Sequence, residues 1–250
     1  MNPSFDVTVR AASAELHARK SHKVHLERPV VVLAGYLDPG FGVARCAEMI
    51  RGVVDRRDWV IEVPFFSVTS FDASRARVIS RLIGRFGADD RGDTIEVDVI
   101  GISMGGLVAR HAAVEREGQP RLRIARLFTI STPHRGALAA EMLQPDNRAT
   151  QMRAGSTLLV ELDRAYPTCG YEFISYVRLG DGIVGEEAAR GPDGRLWWVA
   201  DKPLSPSHMH AAYDQRIIAD IVRRLAGEDP WTTEPCAPLP SDGESSVAHD

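Results

Sequence analysis

Cysteine is scarce in this chain of 250 residues: there are three, Cys46, Cys169 and Cys236. An odd number with no Cys-x-x-Cys pair excludes a disulfide framework and a thiolate zinc site. Long apolar runs are missing too, since none approaches the roughly 20 residues needed to cross a bilayer. The opening Met1-Asn2-Pro3-Ser4-Phe5-Asp6 lacks the basic-then-apolar order of a secretory leader. These absences make a soluble, cytoplasmic protein the default expectation. There is no excess of positive charge: the formal net charge is -4, which argues against nucleic acid as the main partner. No internal repeat is found.

What the chain does have is apolar residues, 44% of the total, enough for one large core. Residues 1–28 are polar and mixed, an N-terminal extension with a short helix expected at 11–20. Val30-Val31-Val32-Leu33-Ala34 reads as a doubly buried strand ended by Gly35. Further strands are expected at 59–64, 94–102, 124–130, 171–179 and 195–200. Helices are expected at 43–54, at 149–165 and at 211–225. Another helix follows a cap at Ser70 or Asp72, with Val78, Ile79, Leu82, Ile83 and Phe86 at three- and four-residue spacing. On that helix Arg75, Arg77, Arg81 and Arg85 read mostly as a solvated polar face. From residue 227 onward the composition turns to Pro, Ser, Gly and acids, which predicts a disordered tail over 227–250. Strands alternate with helices throughout, so the expected fold class is α/β. It should be a mostly parallel central sheet with helices on both faces, spanning 29–226.

One segment carries most of the chemical information. Val97-Asp98-Val99-Ile100 enters Gly101-Ile102-Ser103-Met104-Gly105, and a helix-forming run leaves it. This is the pattern of a nucleophile elbow, a serine held at a tight strand-to-helix turn. Glycines at 101 and 105 avoid crowding there, and the helix start aims N–H groups at a developing negative charge.

A serine hydroxyl is a weak nucleophile at neutral pH and needs a base steadied by a carboxylate. In folds of this type the chain order is Ser, acid, His. Asp181 stands between Gly180 and Gly182 at the carboxyl end of a buried strand and is the candidate acid. His208 is the favoured base, with His210 as the alternative two residues on. The oxyanion donors are read as the backbone N–H groups of Met104 and Tyr36, with Leu37 as the alternative to Tyr36. A His-x-His metal site at 208 and 210 lacks companion ligands, so neither metal nor organic cofactor is expected.

With these residues in place, the chain resembles the α/β-hydrolase superfamily, within it the lipase/esterase group of triacylglycerol lipases and PGAP-type proteins (GPI-inositol-deacylase-like). The likeness rests on Val31-Val32-Leu33-Ala34-Gly35-Tyr36-Leu37-Asp38, on Gly101 to Arg110, on Thr129-Ile130-Ser131-Thr132-Pro133-His134-Arg135-Gly136 and on Asp181-Gly182-Ile183-Val184. Gly155 to Leu162 is similar to the group's cap region, so a small cap is expected at about 137–167. One departure stands out: the group often has His where this chain has Ala34. The resemblance implies Ser103 as nucleophile, Asp181 as acid, a histidine near 208–210 as base, and His134 as a structural or site-lining residue. The expected function is hydrolysis of a small-molecule or lipid ester through an acyl-enzyme. The alternatives are amide or thioester cleavage with the same triad, or a noncatalytic binding relative.

Overall fold

The computed structural model describes residues 2–141, 146–200 and 206–240. Six strands form one sheet: β1 (Val30–Leu33), β2 (Val60–Val63), β3 (Val97–Ile102), β4 (Ile124–Ile130), β5 (Glu172–Arg178) and β6 (Trp197–Val199). They lie in the order β2-β1-β3-β4-β5-β6, and every pairing is parallel. Parallel neighbours require crossovers, and α-helices run through all of them except that from β5 to β6. The helices are α1 (Val9–Arg19), α2 (Phe41–Arg51), α3 (Phe71–Phe86), α4 (Met104–Ala113), α5 (Asn147–Gln151), α6 (Thr157–Ala165), α7 (Ser207–Ala211) and α8 (Gln215–Leu225). The chain moves one way across the sheet from β1 to β2 and the other way from β2 to β3. Right-handed crossovers therefore put α2 on one face and α3 and α4 on the opposite face. Accordingly α8 packs with α1 and α2, whereas α3 packs with α4. The β-branched runs of β1 and β3 are buried along their whole length, as strands covered on both faces must be. Among the described residues no helix is long and apolar enough to cross a membrane.

Strand order reverses at β1, so the carboxyl ends of β1 and β3, where Leu33 is in register with Gly101, are the switch point of the sheet. Open α/β sheets gather ligands at such a switch point. It is there that the Ser103 turn and the loop after β1 meet.

Four local expectations are corrected. The helix expected over 149–165 is two, α5 and α6, broken at Gly155 (φ +71°) with Ser156 capping the second through the Leu159 N–H. The helix expected over 211–225 starts instead at Gln215, because Asp214 begins α8 by accepting from the Arg216 N–H, and Ala211 ends α7. Arg75 is buried rather than on a solvated face, and donates to the carbonyls of His111, Ala112, Val114 and Pro120 at the end of α4. Finally, residues 227–240 of the expected tail are packed onto the body. Trp197 and Trp198 donate indole N–H bonds to the Thr233 and Pro238 carbonyls, and the buried Asp220 carboxylate accepts from Thr232. Residues 241–250 lie outside the described residues.

Candidate active site

The turn between β3 and α4 is forced by close backbone approach. A Cβ on Gly101 would lie 2.4 Å from Gly106 Cα, and one on Gly105 would lie 2.4 Å from the Leu33 carbonyl oxygen. Neither neighbour is a side chain that could swing away. Ser103, between them, has φ +51° and ψ -122°. A non-glycine residue there is strained by roughly 1–3 kcal/mol and persists only where its surroundings dictate it. Here the Ser103 N–H is tied to the Ile130 carbonyl at 2.8 Å. Met104 begins α4, which has no side-chain cap at its N-terminus, so the positive end of the helix dipole is left open at Ser103.

Asp181 follows β5, 2% exposed, and accepts N–H bonds from Ile183 (3.1 Å) and Val184 (3.0 Å). His208 sits on α7, whose register is set by Ser207. The Ser207 hydroxyl reaches back to the Leu179 carbonyl (2.6 Å) and lies 3.2 Å from that of Arg178. That tether brings His208 Nδ1 within 2.9 and 3.0 Å of the two Asp181 oxygens. Burial pushes the Asp181 carboxyl pKa up, but the His208 contact and the Val184 N–H outweigh it and hold the group below its ordinary value. An ionised carboxylate can only accept, so Nδ1 carries the proton and Nε2 is left as a base. Ser131, buried at the end of β4 with φ +49°, adds a hydroxyl that also favours the carboxylate. The alternative base, His210, has its ring 5.4 Å from that of Tyr213. Among the described residues no hydrogen bond joins the Ser103 hydroxyl to His208.

In the loop after β1, Gly35 passes so close that a Cβ there would be 3.3 Å from Ser103 Cβ. Beyond it, the N–H groups of Tyr36 and Met104 donate to no acceptor among the described residues. Leu37, the alternative donor, has φ +56°. The loop is then turned into α2 by Asp38, which accepts from the N–H groups of Gly40, Gly42 and Val43.

His134 lies in the interior. A guanidinium cannot accept a hydrogen bond, so Arg110 Nη1 donates to His134 Nδ1 (3.2 Å) and the imidazole proton is on Nε2, directed at Thr129 Oγ1 (3.2 Å). The Thr129 hydroxyl continues to Ser175 Oγ (3.0 Å) and that hydroxyl to the Ala189 carbonyl (3.1 Å). Burial, then the neighbouring Arg110 and Arg135, keep the His134 pKa well below the usual imidazole value. Both arginines also bind Asp163 of α6 at 2.8 Å. The Thr-Pro-His-Arg-Gly loop thus fastens α4, β5 and α6 together.

This architecture is an α/β-hydrolase fold. A model of the PGAP1-like alpha/beta domain family matches residues 74–154, a span that takes in Ser103, Met104 and His134 but not Tyr36, Asp181 or His208. Among solved structures, the chain is similar in fold to the mature lipase BlEst2 of Bacillus licheniformis. The TM-score is 0.57 at 14% identity, over 80% of this chain and 91% of that one. Phospholipase PlaB from Legionella pneumophila gives 0.55 at 11% identity, over 80% of this chain and 60% of the phospholipase. A gene product of Listeria innocua gives 0.53 at 10% identity, over 79% and 93% of the respective chains. No curated protein matches by sequence.

Proposed function

We propose that this protein is a serine hydrolase of carboxylic esters, acting through an acyl-enzyme on Ser103. The observation that carries the reading is the ionised Asp181 on His208 Nδ1, at the same sheet edge as a serine held at positive φ. In this scheme Ser103 Oγ attacks the ester carbonyl carbon while His208 Nε2 takes its proton. The carbonyl oxygen becomes an oxyanion, held by the Met104 and Tyr36 N–H groups. His208 then returns the proton to the departing alcohol, leaving an acyl group on Ser103. Water, deprotonated by the same imidazole, releases the acid and restores the serine.

The rim favours an apolar ester. Leu37 and Phe41 after β1, Phe66 after β2, Leu138 after β4, Ile183 after β5 and Met209 on α7 are all exposed, Phe41 at 82%. They follow the carboxyl ends of the strands, on the same edge of the sheet as Ser103. A fluorophosphonate probe should label the folded wild type at Ser103 and leave Ser103→Ala unlabelled. p-Nitrophenyl esters from acetate to decanoate should be cleaved by the wild type alone, with the longer chains preferred. A folded, unlabelled wild type would reject the reading.

A further inference from the structure

Tyr36 enters the proposed chemistry through its backbone, yet its side chain is held from two other segments. The phenol donates to Asp146 Oδ2 at 2.9 Å. Asp146 is itself fixed, because its other oxygen caps α5 by accepting from the Ala149 N–H at 2.7 Å. Arg148, 4% exposed, places Nη2 3.2 Å from Asp146 Oδ2 and its Cζ 4.8 Å from the centre of the Tyr36 ring. Its Nη1 donates to the carbonyl of Phe65, in the loop after β2. One desolvated guanidinium therefore gathers the loop after β1, the loop after β2 and the cap.

The main chain at Tyr36 has little else to fix it. No backbone hydrogen bond restrains the Gly35, Tyr36 or Leu37 N–H among the described residues, and the preceding glycine is permissive. Orientation of the Tyr36 peptide then depends on its side chain, clamped at both ring and hydroxyl. We propose that Asp146 and Arg148 are positioning residues for the oxyanion donor: the cap, through Tyr36, aims the N–H at the developing negative charge. This rests on the reading of Ser103 as the nucleophile. An oxyanion donor matters in the transition state far more than in substrate binding. Loosening it should therefore lower kcat and spare KM, whereas a cap that merely encloses substrate should raise KM when loosened.

The test is Tyr36→Phe, which keeps the ring and deletes the hydroxyl, compared with Asp146→Ala, Arg148→Lys and the Tyr36→Phe/Asp146→Ala double variant. p-Nitrophenyl acetate is the substrate, because its acyl group is too short to depend on the cap. Tyr36→Phe is expected to lower kcat about tenfold with KM changed less than about twofold. Fluorophosphonate labelling of Ser103 should slow in parallel, with the thermal midpoint preserved. The double variant should be no slower than Asp146→Ala alone, because both remove one contact, and Arg148→Lys, which cannot hold Phe65, Asp146 and the ring together, should lower kcat with KM spared. Unchanged kcat in Tyr36→Phe, a change confined to KM, or multiplying effects in the double variant would overturn the clamp while leaving the serine mechanism standing. A wild type that neither turns over nor labels would overturn both.

Discussion

His208 Nδ1 shares its proton with both oxygens of Asp181, at 2.9 and 3.0 Å, and this fixes which imidazole nitrogen is left as a base. Asp181→Asn reverses that choice. An amide offers Nδ1 a donor as readily as an acceptor, so the tautomer protonated at Nε2 becomes populated and cannot take the Ser103 proton. Ester kcat should fall on the order of 10^3-fold or more, with the thermal midpoint little changed. A loss below tenfold would show that the pair does not serve the reaction.

The same carboxylate gives a pH dependence whose sign is defined. The folded pKa of Asp181 lies below its ordinary value, so as the pH falls the unfolded chain takes up this proton first. Its stabilising contribution is complete above the unfolded value, about 3.9, and disappears as the pH drops through the folded one. Urea unfolding at pH 6 and pH 3 should therefore show the wild type losing stability relative to Asp181→Asn on acidification. A gap between the two that is independent of pH would contradict an ionised Asp181.

Gly105 meets β1 backbone rather than a side chain: a Cβ there would be 2.4 Å from the Leu33 carbonyl oxygen and 2.8 Å from that of Ala34. Gly105→Ala must push the strand and helix apart, which should cost about 3 kcal/mol and lower the thermal midpoint by roughly 6–12 °C. Gly84→Ala on α3, where nothing lies within 4 Å, is the matched control and should leave it unchanged or slightly raised.

The strands and the Ser103 turn could be read from sequence because their signals are local. Runs such as Val30-Val31-Val32-Leu33 have one structural meaning, and the glycines around Ser103 answer to neighbours within a few residues or on the next strand. Asp181 was visible between glycines at a strand end. The misread elements depend on partners far along the chain. Arg75 turns inward because four carbonyls converge near the end of α4, about 40 residues away. The phenol of Tyr36 meets Asp146, 110 residues on, with no local mark on either. The Pro-rich segment 227–240 reads as unstructured until Trp197, Trp198 and Asp220 supply its partners. The break at Gly155 is local instead, a positive φ followed by the Ser156 cap, within a segment whose apolar residues lie on both sides of it.

His134 predicts a second pH effect. Its folded pKa is held well below the usual imidazole value, by burial first and by the arginines next. The unfolded chain therefore binds this proton below about pH 6.5, while the folded chain refuses it. The stabilisation is full above that pH and declines as the pH falls toward the folded value, by up to about 1.4 kcal/mol per pH unit. His134→Gln offers an acceptor to Arg110 and a donor to Thr129 without a titrating ring. It should be less stable than the wild type at pH 7.5, with the difference narrowing at pH 5.5 in urea titrations. A constant difference would mean that His134 protonates freely in the folded protein.

Ser207 is the residue on which the placement of His208 turns. Its buried hydroxyl is 2.6 Å from the Leu179 carbonyl and 3.2 Å from that of Arg178. The five-residue α7 has no side-chain cap of its own. Without the tether the helix can shift along the end of β5, and a displacement of even about 1 Å at a catalytic base can cost 10^2-fold in rate. Ser207→Ala should lower kcat by about 10- to 100-fold, with a stability loss of only about 1–2 kcal/mol from the unmet carbonyls. Ser207→Thr keeps the hydroxyl and should recover most of the activity. Equal activity of the Ala and Thr variants would show that α7 holds its place by packing alone.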